Sequence, residues 1–113
     1  MTLVTVIETD EYARAAKGLL TETEQAAIAD YLAQYPEAGI SLGHGLFKVR
    51  FARMGEGKSG GYRTIHFHRA GLGMPVYLLT VYAKNRSADV TPAQKAGLER
   101  LVAVIEAGLR RRQ

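Results

Sequence analysis

Apolar residues follow two spacings along this chain, and the spacings predict seven secondary-structure elements. Four segments carry alternating or continuous apolar runs, which are typical of strands. Three others place apolar residues three and four positions apart, as amphipathic helices do. The predicted order is β-α-α-β-β-β-α, with strands at 3–8, 46–53, 62–69 and 76–84 and helices beginning near Asp10, Thr21 and Thr91.

Capping signals mark the ends of these helices. Thr21 and Glu24 have the spacing of a capping box, in which each side chain accepts a hydrogen bond from the other residue's backbone. Asp10 is the predicted cap of the first helix, and Pro36 is predicted to end the second. The segment 39–45, rich in glycine, is predicted to be a loop.

The elements predict an α+β protein organised as one domain over residues 1–113. The last three strands are close in sequence, so we expect a small, mainly antiparallel sheet. The two N-terminal helices and the C-terminal helix are expected to pack on one face of it. The strand 46–53 alternates apolar and basic residues, so the helix-free face is expected to carry Lys48 and Arg50.

Composition excludes several classes of protein. The chain has no cysteine, so it forms neither disulfides nor thiolate metal sites. Its first residues lack the basic segment of a signal peptide, and no apolar run approaches the roughly 20 residues of a membrane span. We therefore expect a cytoplasmic protein with no membrane partner.

Charge is distributed unevenly along the chain, whose net charge is +4. Residues 1–43 hold seven acidic and two basic residues, whereas residues 44–69 hold six basic residues and one acidic residue. This segregation predicts a surface that binds a polyanion, or else an ordinary solvated sheet face. The glycine-rich segment 55–63 favours a polyanion, because Lys58 and Arg63 lie at a bend where the backbone can approach a partner closely.

Two motifs in this region suggest other chemistry. Residues 52–59 match a loose phosphate-binding-loop pattern, but that motif needs a helix starting at its lysine, and a β-rich run follows here. His66 and His68, predicted to share a strand face, lack a third metal ligand; their ordinary pKa suits proton transfer in RNA cleavage. A structural role is the alternative for both, and His44 is predicted to be a loop residue.

Three segments, taken in order, resemble the RelE/ParE superfamily of bacterial toxins, and most closely its HigB-type branch. They are residues 47–50, 57–63 and 78–85, followed by a threonine-capped helix. The resemblance implies the toxin of a type II toxin–antitoxin system. Such a toxin is a metal-independent endoribonuclease without cofactors, which cleaves translated mRNA on the 70S ribosome and is neutralised by a cognate antitoxin.

The resemblance also implies that several cations act on one phosphodiester while the RNA's own 2′-hydroxyl attacks it. Arginine stays protonated in proteins, so Arg63 and Arg50 are expected to clamp the phosphate and stabilise the transition state. A lysine whose pKa is lowered by neighbouring cations is a candidate proton carrier. The catalytic candidates are Arg63, Lys84, Arg50 and Lys58, and the RNA-binding candidates are Lys48, Tyr82, Arg53, Asn85 and Arg86.

Two other functions stay open at this point. One is a non-catalytic gyrase inhibitor like the ParE branch, although that branch usually lacks the cationic set found here. The other is a decayed toxin that only binds its antitoxin. The proton carrier is not identified, because the tyrosine that some relatives have before the last helix has no counterpart at 89–91, and His66 stands where relatives often have an aromatic residue.

Overall fold

The computed structural model shows an α+β fold, which confirms the predicted class. It describes residues 3–53, 57–70, 73–83 and 91–111, with the side chains of 53, 57–60 and 109–111 outside the description. The elements in chain order are β1 (Val6–Glu8), α1 (Asp10–Ala16), α2 (Glu22–Gln34), β2 (Ile40–Gly43), β3 (Leu46–Arg53), β4 (Gly57–Phe67), β5 (Val76–Ala83) and α3 (Pro92–Arg111).

The strands form one sheet in the order β1-β5-β4-β3-β2. β1 runs parallel to β5, and the other neighbouring pairs are antiparallel, so the prediction of a mainly antiparallel sheet is confirmed. The prediction of a loop over 39–45 is wrong for Ile40–Gly43, which is an edge strand paired with β3. Only three residues of this strand lie between Gly39 and Gly43, too short a run for alternation to be recognised.

Threonine side chains cap the first turns of the three helices. α1 is capped by Thr9 rather than Asp10: the Thr9 hydroxyl accepts from the Tyr12 backbone and donates to the Leu78 carbonyl at 2.8 Å. The predicted capping box of Thr21 with α2 is confirmed. Thr91 makes the same reciprocal pair of bonds with Gln94 in the first turn of α3.

Both faces of the sheet are covered by helices, so the prediction that all helices share one face is wrong. α1 and α2 pack apolar side chains such as Ile28 and Leu32 against one face, here called the α1–α2 face. α3 packs Val102 and its neighbours against the other, the α3 face. β5 is apolar on both sides, with Leu78 on the first face and Leu79 on the second. Each side therefore needs a cover.

Residues 57–63 of the glycine-rich segment belong to strand β4, where a bend was predicted. Gly57 pairs with Arg53 and Tyr62 with Phe51, so residues 58–61 of β4 oppose only Ala52 on β3. A Cβ added at Gly61 would collide with the Phe51 carbonyl oxygen. The glycine at this position thus allows a close approach between two strands of the chain itself.

Candidate functional site

Three of the predicted site residues form a row across three neighbouring strands. Arg50 of β3 pairs directly with Arg63 of β4, and Arg63 pairs directly with Tyr82 of β5. Directly opposite residues in antiparallel strands have Cβ atoms about 4.5–5.5 Å apart. We call Arg50, Arg63 and Tyr82 the cationic row.

The row lies on the α3 face of the sheet. Tyr82 belongs to the apolar cluster beneath α3, as does Ile65, two residues after Arg63 on β4. Tyr62, the neighbour of Arg63, belongs to the cluster beneath α1 and α2. Because side chains alternate along a strand, Arg63 points to the same face as Ile65 and Tyr82.

The row concentrates positive charge, which favours an anion. Arg63 is only 6% exposed, and its buried Nη1 atom has no hydrogen-bond partner among the residues that the structure describes. Arg50, exposed and directly opposite, adds a second positive charge, and in the described part of the chain neither arginine forms an ion pair with a carboxylate. Like charges placed opposite each other destabilise a sheet, and an unpaired buried cation costs more still. An anion bound between the two arginines would offset both costs.

The other predicted site residues are placed only in part. Lys48 is half-buried on the α3 face, opposite Ile65 and two residues before Arg50 on β3. Arg53 and Lys58 are placed by their backbone alone, at the end of β3 and the start of β4. Lys84, Asn85 and Arg86 lie outside the described residues. The roles given to these six residues stay predictions.

The two strand histidines point away from the row. His66 is fully buried on the α1–α2 face, where its ring stacks on Phe47 with 5.4 Å between centroids. Its Nε2–H donates to the Pro36 carbonyl oxygen at 2.9 Å. His68 lies just beyond the end of β4, with its Nδ1 atom 3.1 Å from the Glu37 carboxylate. Both histidines therefore tie β4 to the segment that follows α2.

Burial keeps the His66 ring neutral. Desolvation lowers the pKa of His66 to about 4; the nearby His68 acts in the same direction, whereas the Pro36 carbonyl and Glu37 oppose it. A carbonyl only accepts hydrogen bonds, so the proton of the neutral ring is on Nε2 and Nδ1 is bare. That Nδ1 atom is buried without a partner.

We expect this histidine to make the fold sensitive to acid. Its pKa in the unfolded chain is near 6.5, so the unfolded state binds the extra proton first, and stability falls as the pH drops from about 6.5 towards 4. The free energy of unfolding, measured with urea, should fall between pH 7 and pH 5 in both the natural chain and His66→Gln. The fall should be about 2 kcal/mol larger for the natural chain than for His66→Gln. The glutamine amide keeps a donor for the Pro36 carbonyl but does not titrate. An equal loss in both proteins would contradict the assignment.

Sequence analysis missed one residue that shapes the site. Thr9 caps α1 and also bonds to the Leu78 carbonyl, which fixes the start of α1 beside β5. The signal was present, because threonine followed by two acidic residues is typical of a helix N-terminus. Within the described ranges, no three metal-ligating side chains (His, Cys, Asp or Glu) lie close enough to hold an ion, and no helix is suited to crossing a bilayer.

Comparison with known protein families identifies the family of this chain. The chain matches the family described as "RelE toxin of RelE / RelB toxin-antitoxin system" over residues 4–111. The match includes every helix and strand from β1 to α3, together with all three residues of the cationic row. The chain therefore belongs to the RelE toxin family.

Proposed function

We propose that this protein is a ribosome-dependent endoribonuclease that cleaves translated mRNA, acting as the toxin of a type II toxin–antitoxin system. Membership of the RelE toxin family supports the toxin assignment and implies an antitoxin partner. The observation that carries the enzymatic part is the cationic row, in which a buried arginine, its Nη1 atom without a partner among the described residues, lies directly opposite an exposed one. We also propose that residues 1–113 form a single toxin domain of the HigB type. We expect this domain to cleave mRNA in the cytoplasm.

The cationic row suits a reaction in which the 2′-hydroxyl of the RNA attacks the adjacent phosphate and cleaves the strand. In that reaction the 2′-oxygen loses a proton and bonds to the adjacent phosphorus, the P–O5′ bond breaks, and the departing 5′-oxygen takes up a proton. Negative charge builds on the non-bridging phosphate oxygens in between. Arg63 binds these oxygens from the sheet, where low solvent access strengthens the interaction, and Arg50 binds them from the solvent side.

Residues other than His66 carry out the proton transfers. That ring is neutral, fully buried and on the opposite face of the sheet from Arg63. We propose Lys84 and Lys58 as the proton carriers, because crowding by cations lowers the pKa of a lysine. No metal ion takes part in this scheme.

The remaining predicted residues hold the substrate in position. Tyr82 offers an aromatic ring beside Arg63, on which an unstacked base can lie. Lys48, Arg53, Asn85 and Arg86 bind flanking RNA. The ribosome supplies the rest by presenting the mRNA in a fixed geometry, which accounts for much of the rate of a positioned reaction.

The test is an mRNA cleavage assay with purified protein. We expect discrete cleavage products, mapped by primer extension, when the mRNA is being translated, and almost none when the same mRNA is free. A gyrase supercoiling assay runs in parallel. Inhibition of gyrase without cleavage would replace this proposal with a ParE-like function. No effect in either assay, and no growth arrest on expression, would indicate a decayed toxin.

A further inference from the structure

A cleft of about 650 Å³ opens between α1, the last part of β5 and α3. Thr80 and Tyr82 of β5 form its floor. β1 pairs only with the first part of β5, over Val76–Leu78, so the cleft lies where β5 has passed the end of β1. A space of this size accommodates several side chains of a binding partner.

One wall of the cleft is apolar and open. Leu98 and Leu101 of α3 line it beside the half-buried ring of Tyr82. Gly97 lies on the same wall, and a Cβ added there would meet only the Arg100 guanidinium, at an ordinary 3.7 Å. The wall therefore has room for a large apolar side chain from outside.

The opposite wall carries an excess of negative charge. Asp10, Glu11 and Arg14 of α1 line it, and Arg14 is bound to Glu11 at 3.1 Å. Asp10 has no ion-pair partner in the described part of the chain, so the three charged side chains give this wall a net charge of −1. A nucleic acid backbone would be repelled here, whereas a polypeptide with a basic side chain beside an apolar one fits both walls.

We propose that this cleft binds a segment of the cognate antitoxin, with a large apolar side chain against Leu98 and Leu101 and a basic side chain against Asp10. The inference rests on the proposed toxin function. Tyr82 belongs both to the floor of the cleft and to the cationic row, where it lies directly opposite Arg63. A segment in the cleft therefore contacts the end of the row and holds the tyrosine that the RNA needs.

The test fills the cleft from within the chain. Gly97→Trp places an indole in the cleft, and Gly108→Trp places the same group elsewhere on α3, where a Cβ meets nothing within 4 Å. The probe is the purified small protein encoded beside this gene, titrated calorimetrically into each full-length variant. We expect Gly97→Trp to raise Kd at least about 100-fold, as loss of a central anchoring pocket does, and Gly108→Trp to raise it less than about threefold. Far-ultraviolet circular dichroism checks that both variants fold.

A second pair of variants tests the charged wall. Asp10→Asn removes the net negative charge of this wall, and we expect it to raise Kd about three- to tenfold, with a weaker dependence on salt. Asp30→Asn, at an exposed position on α2, should leave Kd unchanged.

Three outcomes would overturn the proposal. The first is that the neighbouring gene's product binds Gly97→Trp as tightly as it binds the natural chain. The second is that it does not bind the natural chain at all. The third is that Gly97→Trp loses binding to oligouridylate, a single-stranded RNA, while it still binds the small protein. The titrations contain no ribosome and no mRNA. Failure of the natural chain to cleave translated mRNA would therefore count against the enzymatic function alone.

Discussion

Replacing Arg63 by methionine should lower the rate of mRNA cleavage roughly 10²–10³-fold, the usual effect of removing one charged donor from a transition state. The fold should not suffer. Methionine has similar length without the charge, so the substitution removes a buried cation that lies directly opposite Arg50 and whose Nη1 atom has no partner among the described residues. Thermal stability is expected to stay the same or to rise by up to about 1 kcal/mol.

The matched control is Arg100→Met, which removes an exposed arginine from α3. It should change neither cleavage nor stability by a measurable amount. Cleavage is measured with translating ribosomes, and stability by thermal unfolding of the same samples. Loss of stability together with activity in Arg63→Met would show that Arg63 supports the fold rather than the reaction.

Gly61→Ala should destabilise the protein by about 2–3 kcal/mol, as overpacking at a site that cannot relax does. The added methyl group would overlap the Phe51 carbonyl oxygen, and the Cα of Ala52 lies 3.3 Å from its position. Both obstacles are backbone, so β3 and β4 have to separate. Arg63 follows two residues later and pairs with Arg50 across the same two strands, so cleavage should fall as well.

Gly97→Ala is the control for this substitution. It lies in a helix, where alanine is favoured over glycine by up to about 1 kcal/mol, and its Cβ has room. Urea unfolding midpoints should therefore move in opposite directions for the two variants. A midpoint for Gly61→Ala equal to that of the natural chain would mean that the strands are not in close contact there.

The order of the helices was predictable because their signals are local. The capping box at Thr21 and Glu24 and the apolar spacing after it need no information from the rest of the chain, and α2 begins where they indicate. β2 was not predictable in the same way. It is short, it lies between glycines, and it becomes a strand only because β3 is there to pair with it.

The placement of α3 on the opposite face of the sheet could be predicted only in part from the sequence. The run Leu78-Leu79 within β5 is apolar on consecutive positions, a pattern typical of strands buried on both sides. That pattern predicts a cover for each face but does not say which helix supplies it. The assignment required the packed structure, in which Leu79 contacts the α3 cluster and Leu78 the cluster of α1 and α2.

The cationic row depends on the register of the strands, which the sequence patterns do not predict. Arg50, Arg63 and Tyr82 were each identified from strand patterns and from the family resemblance, yet nothing local predicts that they are directly opposite one another. The bulge in β4, where four residues oppose one, shifts the pairing of the strands and brings Arg63 opposite Arg50. Sequence also grouped His66 with possible chemistry, because it cannot show that the ring is buried on the far face.

A double-mutant cycle can show whether Arg50 and Arg63 bind one phosphodiester in the transition state, as we propose. Single-turnover cleavage of ribosome-bound mRNA is measured for the natural chain, Arg50→Met, Arg63→Met and the double variant. Residues that act on one group are non-additive, so the double variant should be little slower than Arg63→Met alone. If the double variant is slower by the full product of the two single effects, Arg50 and Arg63 do not act on the same phosphodiester.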